Sequence, residues 1–106
     1  MDKNNEKLML TIFLKHQQYM NLDEINAKTA DTGFWAKFPP EGVEVVSWYV
    51  MMGIGQVVTL RFSPEKLRDI NLAIEKSAWG AFETEFYATY DFMNVFESKR
   101  AEALGN

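Results

Sequence analysis

Cysteine is absent from the 106 residues, and histidine occurs once, at His16. A disulfide framework, a thiolate nucleophile and every cysteine-based zinc site are therefore excluded, and a lone imidazole is too little to build a metal centre. Long apolar runs are also missing. The longest, Val50-Met51-Met52-Gly53-Ile54, falls far short of the roughly 20 residues of a membrane span. The N-terminal Met1-Asp2-Lys3-Asn4-Asn5-Glu6-Lys7 has no apolar stretch behind a basic region, so no leader is expected and a cytoplasmic location is the default. Positive charge is scarce: eleven Lys and Arg stand against fifteen Asp and Glu, giving −4. The basic residues are scattered rather than gathered on one face, which argues against nucleic acid and against a membrane surface as partners.

What is present is an ordinary globular balance, 47% hydrophobic and 25% charged, with a rich aromatic share of 14%. That length and apolar content suit one domain that folds without metal or disulfide, with a core over about residues 7–92 and a tail over 93–106. Lys7 to His16 reads as a strand with two largely apolar faces, suited to the middle of a sheet. Asn21 and Glu24 have capping-box spacing and open a helix expected to run to about Lys37, weakened at Gly33 and ended by Phe38-Pro39-Pro40-Glu41-Gly42. Val43–Met52 and Gln56–Phe62 form a hairpin around Gly53-Ile54-Gly55. Ser63-Pro64 starts a second helix with Leu67, Ile70 and Ile74 on its buried stripe and Gly80 as terminator. Phe82–Phe92 alternates as a last strand, and Asn94 with Glu97 marks a short terminal helix.

The order β-α-β-β-α-β predicts an α+β, ferredoxin-like sandwich: a four-stranded antiparallel sheet, its first and third strands central and parallel, with two helices on one face. The helix-facing set is Leu8, Leu10, Ile12 and Leu14; Val58, Leu60 and Phe62; and Phe82, Phe86, Ala88, Tyr90 and Phe92. For the second strand, a three-residue loop pairs Trp48 with Leu60 and sends Val46, Trp48, Val50 and Met52 to the core. A two-residue loop would turn Tyr49 inward instead. The first register leaves Met9, Phe13, Val45, Met51 and Val57 on the open face beside Lys15, Ser47, Tyr49, Arg61, Glu85 and Tyr87. Such a face is too apolar for water and too polar for a core. Two of them packed together would enclose a polar cavity, from which a homodimer is inferred.

The phrase Pro39-Pro40-Glu41-Gly42-Val43, the strand Ser47-Trp48-Tyr49, the turn Gly53-Ile54-Gly55 and the late Trp79 resemble small members of the dimeric α/β-barrel superfamily of ferredoxin-like domains. The resemblance covers about Lys7 to Phe92. It implies a homodimer with a ligand cavity between helices and sheet or between sheets. The superfamily includes cofactor-independent monooxygenases, muconolactone-type isomerases, haem-degrading enzymes, dye-decolourising peroxidases and regulator effector domains. No active-site signature of the group transfers residue by residue.

Arg61, Tyr49, Tyr87 and Glu85, with Ser47 and Phe13 beside them, form the candidate ligand-binding set. Arginine clamps a carboxylate or enolate in two-point contact, and tyrosine hydroxyls orient an oxyanion. The plainer alternative is an Arg61–Glu85 ion pair at a dimer interface. Glu83 and Glu85, about 7 Å apart on one strand face, suit an acid pair or simply a wet sheet face. His16 suits a general base or an edge-packed ring. Trp35, Trp48 and Trp79 suit a stacked flat ligand or core filling. Phosphate-loop, dinucleotide, nucleophile-elbow and metal signatures are absent, so no cofactor is expected. The sequence thus points to a dimeric domain that binds a small, partly apolar, anionic molecule on the sheet face. A cofactor-independent oxygenase or isomerase and a purely structural or regulatory dimerisation module are the alternatives.

Overall fold

The computed structural model describes residues 6–105, so Met1–Asn5 and Asn106, the ends of the expected leader-free segment and of the tail, lie outside the described residues. The elements are β1 (Leu8–His16), α1 (Leu22–Thr32), the single-turn α2 (Phe34–Lys37), β2 (Glu44–Met51), β3 (Gly55–Phe62), α3 (Leu67–Ser77), β4 (Phe82–Thr89) and α4 (Met93–Ala103). A 3-10 turn, Pro64–Lys66, leads into α3. The four strands form one antiparallel sheet in the order β2-β3-β1-β4. β1 and β3 are central neighbours, but they run antiparallel, which corrects the expected parallel pair. Each β-α-β crossover passes over one intervening strand: β3 lies between β1 and β2, and β1 between β3 and β4. None of the helices among the described residues is long and apolar enough to cross a membrane.

Local chemistry sets the helix ends. Asn21 and Glu24 close a reciprocal capping box, the Glu24 amide donating to Asn21 Oδ1 at 2.8 Å and the Asn21 amide to Glu24 Oε1 at 2.9 Å. Gly33, at φ 72°, ends α1 in the left-handed conformation, so the expected single helix to Lys37 breaks there into α1 and α2. The break turns Phe34 fully into the core. Ser63 makes no side-chain cap, and α3 ends at Ser77, ahead of Gly80. α4 begins one residue before Asn94. Its first amide, on Met93, is capped by Asp91 Oδ1 at 2.8 Å rather than by an Asn94–Glu97 box.

The core lies on one face of the sheet. Leu10, Ile12 and Leu14 of β1 and Val58, Leu60 and Phe62 of β3 meet Ile25 of α1, Ile70 and Ile74 of α3, and Phe34, Phe38 and Phe82 in one cluster. Thr32 Oγ1 donates to the Ser77 carbonyl at 2.7 Å and ties α1 to α3. The buried Ser77 hydroxyl donates to the Ala73 carbonyl, and the buried Thr29 hydroxyl to Asn26 O at 3.0 Å, so neither adds an unpaired polar group to the core.

Several expected core residues lie outside it. Leu8, Tyr90 and Phe92 stand at or beyond strand ends and are exposed, and Ala88 is exposed on the edge strand β4. Leu67, in the first turn of α3, is 45% exposed. On β2, Trp48 does face the helices, meeting Phe34 and Phe38 edge-on at 6.4 and 5.7 Å. Val46, Val50 and Met52 are exposed: Val46 is the bulged residue of this edge strand, Met52 lies in the hairpin loop, and Val50 is near the strand's end.

The hairpin loop has the expected three residues but is Met52-Gly53-Ile54, one position earlier, with Met51 opposite Gly55. Trp48 therefore pairs with Val58 instead of Leu60, a shift of two that preserves which side chains face inward. Below Ser47 that parity is lost. A β-bulge at Val46 places Val45 opposite Leu60, on the helix side rather than the open face, and Glu44 opposite Arg61.

Gly55 tests the hairpin. Any Cβ there would collide with the Leu14 carbonyl and press on the Lys15 backbone, whereas a Cβ at Gly53, with φ 79°, meets open space. Gly53→Ala should cost about 1–2 kcal/mol for the left-handed backbone alone. Gly55→Ala should cost clearly more in urea unfolding, because β3 must also move away from β1. Equal losses at the two glycines would refute this packing.

Candidate functional site

On the open face, residues alternate out of β1 as Met9, Thr11, Phe13 and Lys15, all half-buried although no layer covers them. Their neighbours follow from the register: Arg61, Thr59 and Val57 on β3, and Thr89, Tyr87, Glu85 and Glu83 on β4. Thr11 lies at the middle, with hydroxyl contacts of 3.0 Å to Thr59 and 3.3 Å to Thr89, a threonine ladder across three strands. Cross-strand pairs of this kind hold a sheet face in register.

The expected ligand-binding set is divided by this geometry. Glu85, Tyr87 and Phe13 come together: the Tyr87 hydroxyl donates to Glu85 Oε1 at 2.9 Å, and the Tyr87 ring meets Phe13 edge-on at 5.6 Å. Arg61 is opposite Met9 and Glu85 opposite Phe13, so the two are four β1 residues apart, roughly 13 Å along the strand. An Arg61–Glu85 ion pair is therefore not formed. Glu85 is held instead by Lys15, Nζ to Oε2 at 2.7 Å, and Arg61 by Glu44, Nη1 to Oε2 at 3.0 Å. Tyr49 stands on the edge strand opposite Val57, 67% exposed, and Ser47 opposite Thr59.

The Lys15–Glu85–Tyr87 cluster is electrically self-satisfied. The hydrogen bond from Lys15, then that from Tyr87, holds the Glu85 carboxyl below its ordinary range. The same bond to Glu85, followed by its charge, raises Lys15, and the Glu85 hydrogen bond raises the Tyr87 hydroxyl. Glu83, the other member of the expected acid pair, stands opposite Lys15 and its charge helps to raise the lysine, but it makes no hydrogen bond to the cluster among the described residues.

Arg61 has a different setting. It borders a cleft of about 500 Å³ at the end of the sheet where β1 begins and β3 and β4 finish. Leu8, Leu10, Phe62, Leu67 and Ala88 give the cleft an apolar floor, and Lys7, Arg61 and Asp91 give it charge. A smaller apolar groove of about 440 Å³ continues from it between α3 and β4, past Leu67, Arg68, Asn71 and Phe86. Lys7, Asp91 and Glu44 were not among the expected site residues. The bulge that brings Glu44 to Arg61 leaves no mark in Val43-Glu44-Val45-Val46.

At the opposite end of the sheet His16 stacks on Phe82, centroids 5.8 Å apart and planes at 29°, and its Nε2 is buried with no hydrogen-bond partner among the described residues. This is the edge-packed ring. Trp48 donates to Gln56 Oε1 at 2.6 Å and is half-buried, whereas Trp35 and Trp79 are exposed, so core filling accounts for one tryptophan of three. Among the described residues no group of three or more carboxylates and imidazoles is placed to hold a metal ion.

The pH dependence of the cluster follows from the signs. Glu85, lowered in the folded state, contributes stability above its unfolded pKa that is lost as pH falls through the lower folded value. Lys15, raised, contributes below its unfolded pKa and loses that as pH rises through the higher folded value. Carbon-detected NMR titration should show Glu85 protonating below the ordinary glutamate range, and Lys15→Met should move it back towards that range. A Glu85 titration that Lys15→Met leaves unchanged would contradict the network.

No protein-family model, curated protein or solved structure was found to match the chain, and the functional argument rests on its own residues.

Proposed function

We propose that the chain is a ferredoxin-like domain that works as a homodimer of the dimeric α/β-barrel type and binds a small, partly apolar, anionic molecule, with Arg61 as its charge partner. The strand order, read from the other edge as β4-β1-β3-β2, supports the ferredoxin-like reading, since each crossover spans one inserted strand. The half-buried Met9 and Phe13 and the exposed Tyr49 ring, opposite Val57, support pairing through the open face.

The observation that carries the binding reading is the cleft at Arg61. It sets two cationic side chains, Lys7 and Arg61, beside a floor of leucine, phenylalanine and alanine. Among the described residues Glu44 engages only Nη1 of the guanidinium, which has five N–H donors in all, so the rest of the fork can meet an incoming carboxylate. A ligand of this class lays its apolar body on Leu8, Leu67 and Ala88 and its anionic end against Arg61. Tyr49, Ser47, Phe13, Glu85 and Tyr87, placed away from the cleft, are assigned to the face that meets the second copy. The closed Lys15–Glu85–Tyr87 network and the threonine ladder favour a structural role there over chemistry.

Octanoate and 4-phenylbutyrate are suitable probes. Titration followed by amide NMR should move resonances of residues 7–10, 61–67 and 88–91. Arg61→Ala should weaken binding by about 10- to 100-fold, the loss of one charge-assisted contact of roughly 1.5–3 kcal/mol. Glu44→Gln should strengthen it, because the competing carboxylate is neutralised. Shifts centred on Tyr49 and Tyr87, or affinity indifferent to Arg61→Ala, would overturn the assignment.

A further inference from the structure

The two edges of the sheet are built differently. β2 carries the bulge at Val46, which breaks its spacing. β4 pairs with β1 along all 8 of its residues without a shift, from Phe82 opposite His16 to Thr89 opposite Met9. Its sequence contains neither proline nor lysine, two residues that commonly blunt a free edge. Among the described residues no backbone group from Glu83 to Asp91 finds a backbone partner outside the ladder to β1, and none of residues 83–89 is buried. β4 therefore presents a straight row of backbone donors and acceptors.

The side chains of this row select how it can pair with a copy of itself. Residues opposite each other in an antiparallel ladder share a face, so the two-fold axis of such a pair passes through a residue. An axis through Thr84 sets Glu83 opposite Glu85, and one through Glu83 or Glu85 sets an acid opposite itself, which destabilises a ladder. An axis through Tyr87 leaves Phe82, Glu83 and Thr84 unpaired within the strand, and one through Ala88 leaves more. An axis through Phe86 avoids both defects. It places Glu85 opposite Tyr87, Thr84 opposite Ala88 and Glu83 opposite Thr89, and brings the two Phe86 rings together as a cross-strand aromatic pair.

We infer that β4 is a self-pairing edge: two copies join antiparallel about a two-fold axis through Phe86, and their sheets continue as one, with the helices of both on the same side. Three features favour a second copy as the occupant. The strand has one long register in which it opposes itself without setting acid against acid. Within each chain Lys15 Nζ already holds Glu85 Oε2 at 2.7 Å, so the acid nearest the axis arrives with its charge countered. The pair is also self-limiting, because once β4 is used the joined sheet ends on β2 at both sides, and both of those edges carry the bulge. The contact uses the rim of the sheet, whereas the pairing proposed above uses its open face, and neither requires the other.

Thr84 and Ala88 give the test, since they stand opposite Leu14 and Leu10 of β1, on the helix side and away from the open face. They are four residues apart, roughly 13 Å along one strand, so charges placed there meet only across the edge. Thr84→Glu with Ala88→Glu opposes acids twice and should halve the mass of the parent assembly in light scattering. Thr84→Lys with Ala88→Glu opposes unlike charges at the same sites and should keep the parent's mass. Both variants lose the hydrogen bond from Trp79 Nε1 to Thr84 Oγ1, so that loss cancels in the comparison. Equal loss of mass in the two variants, or equal retention, would overturn the pairing. Hydrogen exchange on the parent chain gives an independent reading. The outward amides of β4 should slow as the protein is concentrated from micromolar to millimolar, while those of β2 stay fast. Outward β4 amides that exchange equally fast at both concentrations would remove the edge contact, whatever the state of the open face.

Discussion

The whole molecule is organised by one contact, the helix-facing side of the β1–β3 pair. Leu10, Ile12 and Leu14 stand beside Val58, Leu60 and Phe62, and the six are buried under Ile25, Ile70 and Ile74. At about 1.5–3 kcal/mol for each large apolar side chain removed from water, this patch is the main favourable term available to a chain with no disulfide. It also sets everything behind it. Because side chains alternate along a strand, fixing Ile12 and Val58 inward fixes Thr11, Phe13, Val57 and Thr59 outward. The composition of the open face is thus a by-product of the core.

That coupling explains what could be read from the amino-acid sequence. The strands, their facing sets on β1 and β3, and the α1 capping box follow from short-range patterns, and each appears where its pattern lies. The inward side of Trp48 was legible even though its partner was not, since a two-residue shift conserves parity. The relative direction of β1 and β3 was not legible from local patterns, because it is a property of the topology. The bulge at Val46 was invisible for a different reason: four consecutive strand-forming residues give no sign of which one is unpaired. Its effect reaches the candidate site directly, since it brings Glu44 rather than Val45 opposite Arg61.

The site residues divide along the same line. Sequence parity correctly gathers Lys15, Glu85, Tyr87 and Phe13 on one face, and the Lys15–Glu85 bridge and Tyr87–Glu85 bond follow from the β1–β4 register. Parity says nothing about position along the strand, which is why Arg61, on the same face, lies at the far end from Glu85. Nor does it show that α4 buries no residue, or where each helix starts, which is set by the 3-10 turn at Pro64 and the Asp91 contact to Met93 rather than by the apolar stripe.

An open four-stranded sheet exposes two rows of unpaired backbone groups, on β2 and on β4. On β2 the extra residue at Val46 interrupts the regular spacing that another strand needs. Growth of the sheet from that side, copy upon copy, is thereby discouraged. The same irregularity that gives Arg61 its carboxylate also guards the chain against aggregation, so straightening β2 by deleting Val46 would keep Glu44 opposite Arg61 and remove the safeguard alone.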